Sequence, residues 1–185
     1  MFKAELRKEI RAKKRWFSQA QLGELSLSII SQLRHHPKVL AAHTLLLYYS
    51  LPDEVNTHEW IDELVEEGKR VLLPVVVDQE KMILREYTGK QDLAEGSFHI
   101  MEPIGKLFPE EKYEEIEVAI IPGMSFDAKG RRLGRGKGYY DRFLATLGTL
   151  SHGAPTYKIG VCFGFQKCKE IPVESHDIMM DEVVY

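Results

Sequence analysis

The chain has 185 residues with 25 Lys and Arg against 28 Asp and Glu, a formal net charge of -3, and 44% apolar and 29% charged residues. That length supports one substantial core, read as a single domain over residues 1–185, and the composition is that of an ordinary globular protein rather than a disordered or disulfide-stapled one. The near-neutral balance excludes a globally basic nucleic-acid binder; no run reaches the roughly 18 apolar residues of a membrane span and no apolar leader follows Met1, so the expectation is a cytoplasmic protein without a membrane.

In chain order, Phe2 to Lys14 has helical spacing, with Ala4, Leu6 and Ile10 opposite a basic face that includes Lys3 and Arg7. A second helix is predicted from Ser18 as N-cap to Leu33, and Pro37 bars its extension. Thr44 to Tyr49 reads as a strand covered on both faces. After the turn Ser50 to Asp53, Thr57 to Glu67 reads as a helix capped by Gly68, followed by a strand from Arg70 to Val77. Lys81 to Tyr87 is a further strand, Leu93 to Phe98 is irregular, and Val118 to Ile121 is a short buried strand. Gly138 to Leu147 reads as helix, and Lys158 to Phe163 and Glu182 to Tyr185 as strands. This alternation predicts an α/β fold of three layers, a mostly parallel sheet flanked by helices. Ligands in such sheets bind beyond the carboxyl ends of strands, which selects three loops: Ser50 to Glu54, Gly123 to Gly138 and Gly164 to Lys167.

The segment Pro122 to Asp141 is the most informative. It holds five glycines and five basic side chains directly after a buried strand. Glycines let backbone N–H groups approach an anion closely, and Arg and Lys add charge-assisted hydrogen bonds to phosphate oxygens. The segment fits neither familiar nucleotide motif: Gly136-Lys137-Gly138 lacks the Ser or Thr of a P-loop, and the third glycine of Gly134-Arg135-Gly136-Lys137-Gly138 comes one place too early for the dinucleotide fingerprint. A solvated basic hairpin is the plainer reading of the same residues.

Asp141, in the first turn of the following helix, can face phosphates only through a bridging cation such as Mg2+, which needs a second ligand; otherwise it serves the helix dipole. Asp177 and Asp181 are both available, and spacing does not choose between them. Glu54, beside Tyr48 and Tyr49, either hydrogen-bonds the N–H edge of a heterocycle or favours the helix that begins near Thr57. Cys162 and Cys168 match no usual zinc or redox spacing and read as reduced structural thiols.

Pro122-Gly123, Phe126-Asp127, Gly130, Arg132-Leu133-Gly134, Gly136, Gly138 and Tyr140-Asp141 together resemble the signature of the 5-formyltetrahydrofolate cyclo-ligase (methenyltetrahydrofolate synthetase) family. Lys3 with Leu6-Arg7, Glu54-Val55 with Thr57, Glu102-Pro103 and His176-Asp177 resemble its other motifs in order, so the likeness spans essentially the whole chain. Met124-Ser125 and Asn56 depart mildly from the family pattern. The resemblance implies a fold similar to the sugar-phosphate isomerase and CoA-transferase type, and Mg2+- and ATP-dependent conversion of 5-formyltetrahydrofolate to 5,10-methenyltetrahydrofolate through phosphorylation of the formyl oxygen. It also implies that Lys3, Arg7, Arg132, Leu133, Gly134, Arg135, Gly136, Lys137, Gly138, Tyr139 and Tyr140 bind ATP. In the same way Tyr49, Glu54, Arg135 and Tyr139 contact the folate, Arg135, Lys137 and Tyr139 serve catalysis, and Asp141 and Asp177 hold the metal, with Asp181 as the alternative. The partners expected are small molecules, with no nucleic acid, acting on a monomer. A non-catalytic nucleotide- or RNA-phosphate-binding module is the competing reading of the two basic patches.

Overall fold

The computed structural model describes residues 2–150 and 153–185. Helix α1 (Lys3–Lys14) is followed by α2 (Gln19–Arg34), α3 (Pro37–Ala41), β1 (Thr44–Leu46), α4 (His58–Glu66), β2 (Arg70–Val76) and β3 (Met82–Tyr87). Then come the short strands β4 (Leu93–Glu95), β5 (Met101–Pro103) and β6 (Leu107–Phe108), followed by β7 (Val118–Pro122), β8 (Ser125–Phe126), β9 (Arg132–Leu133), α5 (Tyr139–Leu150), β10 (Tyr157–Val161) and β11 (Glu182–Val184).

Seven strands form one sheet in the order β11-β10-β7-β1-β2-β3-β6. Neighbours from β11 to β2 pair in parallel, while β3 and β6 add antiparallel at one edge. The side-chain period of two sends alternate residues to opposite faces. Leu45, Leu47, Val71, Leu73, Val118 and Ile120 therefore meet α2 and α4 through Ile29, Leu33, Trp60, Ile61 and Leu64. Leu46, Leu72, Ala119 and Ile121 meet α5 on the other face through Phe143, Leu144 and Leu147. The expected three-layer, mostly parallel α/β fold is the one observed.

Local chemistry sets the helix ends. Ser18 and Gln21 form a reciprocal capping box at α2, with the Gln21 N–H donating to Ser18 Oγ at 3.1 Å and the Ser18 N–H to Gln21 Oε1 at 2.8 Å. Gly68, at φ 84°, closes α4, with its own N–H on the Val65 carbonyl and that of Lys69 on the Leu64 carbonyl. Pro37 does end α2, but it also opens α3, where a proline at the first helical position loses no hydrogen bond and His36 Nδ1 accepts from Lys38 N–H.

Gly160 in β10 is dictated by packing. A Cβ there would stand 2.4 Å from Cε1 of Phe126, a ring with no solvent exposure that fills the space beneath the strand. Helix α1 lies apart from both large core clusters. Its Leu6 and Ile10 pack on Met124, Leu133 and Ile171, which ties the N-terminal basic face to the glycine-rich segment. Among the described residues no helix is long and apolar enough to cross a membrane.

Candidate active site

β1 lies between β2, which follows it in the chain through α4, and β7, which comes much later, so the loops leaving β1 and β7 diverge and open a crevice at their carboxyl ends. A cavity of about 810 Å³ fills it, within the range of small-molecule sites. Lys3 and Arg7 of α1, Tyr49 and Glu54 from the β1 loop, all of Arg132 to Asp141, and Glu174, His176 and Asp177 line it.

The glycine-rich segment is built on a rigid base. Asp127, 1% exposed, accepts at Oδ1 from the N–H groups of Lys129 (2.9 Å) and Arg131 (3.1 Å), and at Oδ2 from Ile171 N–H (3.0 Å). That carboxylate shapes the turn between β8 and β9, a hairpin inside what the sequence presents as plain loop. The Gln166 side-chain amide donates to the carbonyls of Gly123 and Met124, both at 3.0 Å, and anchors the other end. Beyond β9, Gly136 at φ 109° and Gly138 at φ 73° occupy left-handed backbone that favours glycine, and they deliver the chain to the N-terminus of α5. Arg7 Nε donates to the Gly134 carbonyl at 2.8 Å, which aims its guanidinium along this loop. Free N–H groups at the start of a twelve-residue helix, beside glycines and guanidinium groups, make an anion cradle.

Arg132 is the clearest sign of what belongs there. It is 7% exposed, its guanidinium lies over the Tyr140 ring at 5.1 Å, and its buried Nε has no hydrogen-bond partner among the described residues. Burial lowers its pKa, opposed by the charge of Asp141. A buried cation with an unsatisfied donor is costly, and an anion brought against the guanidinium would offset that cost. Glu54 shows the converse: burial raises its pKa, against the Leu51 N–H that donates to Oε1 at 2.8 Å and the nearby Arg135 charge.

The opposite charges are already paired with one another. Lys3 Nζ lies 2.8 Å from Asp177 Oδ2 and 3.5 Å from Glu174 Oε2. Burial pushes the Asp177 carboxyl up, but the Lys3 hydrogen bond and the Glu174 N–H together hold it below the usual carboxylate range. Arg135 reaches Asp53 at 3.2 Å and Glu54 at 3.9 Å, and Asp53 is also bound by Lys14 at 3.1 Å. Lys137 is exposed, while Tyr139 spans the rim, its hydroxyl donating to the Asp78 carbonyl at 3.1 Å. Asp141 Oδ1 accepts from Ile178 N–H at 3.4 Å, next in sequence to Asp177, and both aspartates line the cavity. Carboxylate oxygens beside a phosphate cradle suit a hard divalent cation, and atoms of Glu174, His176 and Asp177 lie within 4.8 Å of one another.

Matched against known families, the whole chain, residues 1–185, fits the model of the 5-formyltetrahydrofolate cyclo-ligase family. The chain belongs to that family. It is 30% identical to the 5-formyltetrahydrofolate cyclo-ligase of Mus musculus over 99% of this chain and 93% of that protein, and 30% identical to the one of Escherichia coli K12 over 95% of each. The NMR structure of Aquifex aeolicus 5,10-methenyltetrahydrofolate synthetase superposes with a TM-score of 0.81 at 32% identity, covering 100% of this chain and 89% of that one. The Mycoplasma pneumoniae 5,10-methenyltetrahydrofolate synthetase, 24% identical, shares the fold with a TM-score of 0.77 over 100% of this chain and 98% of that one.

Every residue expected at the site except Asp181 lines the cavity. Asp181 is a correction: its Oδ2 accepts from Lys158 N–H at 2.8 Å and pairs with Lys158 Nζ at 3.4 Å at the start of β10, the amino end of the strand and not the carboxyl end where the ligand crevice opens. The loop Gly164 to Lys167 is a second correction. It folds as a 3-10 turn with Gln166 buried as an anchor, and the segment around Asp177 takes its place in the cavity wall. The sequence reading missed Asp53 as the partner of Arg135, although its place beside Glu54 was a usable signal. It also missed an apolar wall of Pro74, Val75, Met82, Ile100 and Met101, whose only trace was the run of valines continuing to the end of β2.

Proposed function

We propose that this protein is the ATP-dependent ligase that cyclises 5-formyltetrahydrofolate to 5,10-methenyltetrahydrofolate, releasing ADP and phosphate. The observation that carries the reading beyond family membership is Arg132, a buried cation whose unsatisfied Nε adjoins a glycine cradle in the same cavity as a buried carboxylate, Glu54. The glycine cradle suits a triphosphate, and Glu54, 3.9 Å from Arg135 of that cradle, suits a heterocycle with N–H groups to donate.

The formyl oxygen attacks the γ-phosphorus of ATP, and the bond to the β-phosphate oxygen breaks to leave ADP. The neighbouring amine nitrogen then adds to the activated formyl carbon, loses its proton, and expels phosphate as the C–O bond breaks. Positioning and charge neutralisation carry most of such a transfer. In this reading Lys3, Arg7 and the backbone from Arg132 to Tyr140 hold the phosphates, with Lys3 exchanging Asp177 for a phosphate oxygen. Arg135 and Lys137 stabilise the transferring group, Tyr139 closes over the formyl end, and Tyr49 and Glu54 orient the folate. Asp141 and Asp177 would hold Mg2+, which supplies charge neutralisation on the phosphates when it is bound with ATP.

A non-catalytic polyanion-binding module is not favoured, because such a surface gains nothing from Glu54, Asp141 and Asp177 among its cations. The reading also takes the protein to be a single-domain cytoplasmic monomer, in keeping with its two free cysteines, one of them buried. The test is to incubate the protein with 5-formyltetrahydrofolate, Mg2+ and ATP and follow the near-ultraviolet absorbance of the methenyl product. Absorbance that grows only with ATP present supports the reading; none, or growth without ATP, refutes it.

A further inference from the structure

His58 opens α4, and the reaction as written assigns it no task. Its ring lies flat on Tyr49, with centroids 3.7 Å apart and 9° between planes. Its Nε2 is 2.8 Å from the Ser50 carbonyl oxygen, and since a carbonyl only accepts, Nε2 carries the proton. Burial lowers the His58 pKa, against the Ser50 carbonyl and the charge of Asp62, and so favours the neutral ring.

The histidine is itself held firmly. Its N–H donates to Asn56 Oδ1 at 3.1 Å, while Thr57 and Ser50 exchange two hydrogen bonds, Thr57 N–H to Ser50 Oγ at 3.0 Å and Ser50 N–H to Thr57 Oγ1 at 3.3 Å. Thr57 Oγ1 also donates to the Tyr48 carbonyl at 2.7 Å. The start of α4 is thereby fastened to the exit from β1, and His58 is the part of it whose ring stacks on Tyr49, a residue lining the cavity. Beyond Tyr49 stands Tyr87, ring centroids 6.5 Å apart, its own hydroxyl donating to Asp62 Oδ1 at 2.7 Å. Tyr49 thus has two anchored rings beside it where it lines the cavity.

Resting on the cyclo-ligase reading, we propose that His58 is a positioning residue that presets Tyr49 as a fixed aromatic wall for the planar ring system of the folate. An unsupported tyrosine at a cavity rim is free to change rotamer, and binding then bears the cost of ordering it; a stacked partner removes that cost beforehand. His58 touches neither reacting atoms nor phosphate, so its effect falls on folate binding alone.

The experiment compares steady-state kinetics of His58→Ala, His58→Phe and His58→Gln with the wild type, varying each substrate in turn. His58→Ala raises KM for 5-formyltetrahydrofolate by about three- to tenfold while KM for ATP stays put, the split expected from an ordering cost at one substrate. His58→Phe keeps a flat partner and restores the folate KM to within about twofold of wild type, whereas His58→Gln keeps only the donor and does not. Thermal stabilisation by ATP in each variant shows that the rest of the site is intact. An unchanged folate KM in His58→Ala, a parallel rise in KM for ATP, or rescue by Gln and not by Phe overturns the proposal. Should His58→Ala fail to fold, the contrast between Phe and Gln decides. A wild type that forms no methenyl product refutes the cyclo-ligase reading itself, whereas an active wild type with an indifferent His58→Ala refutes only the role of His58.

Discussion

Replacing Arg132 by Met separates a functional arginine from a structural one, because the two make opposite forecasts for the ligand-free protein. The guanidinium is buried, and its Nε lacks a partner among the described residues. A buried donor left unsatisfied costs about 1–3 kcal/mol. Opposing this, the contact with the Tyr140 ring at 5.1 Å contributes about 0.5–2 kcal/mol. Met keeps most of the aliphatic volume, so the opposing effects put Arg132→Met between a loss of about 1 kcal/mol and a gain of about 2.5 kcal/mol in stability, centred on a slight gain. ATP binding moves the other way. Losing a charge-assisted hydrogen bond to phosphate, worth about 1.5–3 kcal/mol, weakens ATP by roughly 10- to 150-fold. Urea denaturation without ligand gives the first quantity, and calorimetric titration with ATP and Mg2+ the second. A variant that loses more than about 2 kcal/mol of stability, or one that binds ATP as the wild type does, refutes the reasoning.

Glu54→Gln is expected to raise KM for the folate by roughly tenfold or more, the worth of a charged acceptor facing N–H donors. It also changes the pH dependence of stability. Burial raises the Glu54 pKa, so the folded protein holds this proton through a window in which the unfolded chain has released it. The ionised carboxylate therefore subtracts stability above its folded-state pKa and subtracts none below the ordinary carboxyl value. Glu54→Gln is more stable than wild type at neutral pH, and the difference fades as pH falls through that window; a constant or inverted difference in denaturation midpoints refutes this. Gly160→Ala, whose Cβ would meet Phe126 at 2.4 Å, is expected to destabilise by about 1–3 kcal/mol or more through overpacking. A denaturation curve matching wild type would show that Phe126 has room to move.

The layers were legible in the sequence because every buried strand alternates between two apolar faces. Thr44 to Tyr49, Arg70 to Val77 and Val118 to Ile121 all fall in the central sheet, although ladder pairing in β1 is assigned only to Leu46. From there the chain stays extended, with Leu47 N–H on the Leu72 carbonyl, and delivers Tyr49 to the cavity. What escaped was short or set by distant partners. The β4–β5 hairpin pairs only three residues a side, too few for a period to show in a segment read as irregular. The β8–β9 hairpin depends on Asp127 meeting Ile171 across the fold, and Asp177 and Asp181 are told apart by the end of the sheet at which each lies. His58 carries no motif, and only its stacking on Tyr49 shows its place at the site.

The central claim is that ATP phosphorylates the formyl oxygen so that it leaves as phosphate. The direct measurement uses 5-formyltetrahydrofolate carrying ¹⁸O in the formyl group, with mass analysis of the phosphate released as the methenyl product forms. The account predicts one labelled oxygen in each phosphate, in step with ADP and methenyltetrahydrofolate. Unlabelled phosphate, or methenyl product formed without ATP consumption, would contradict it.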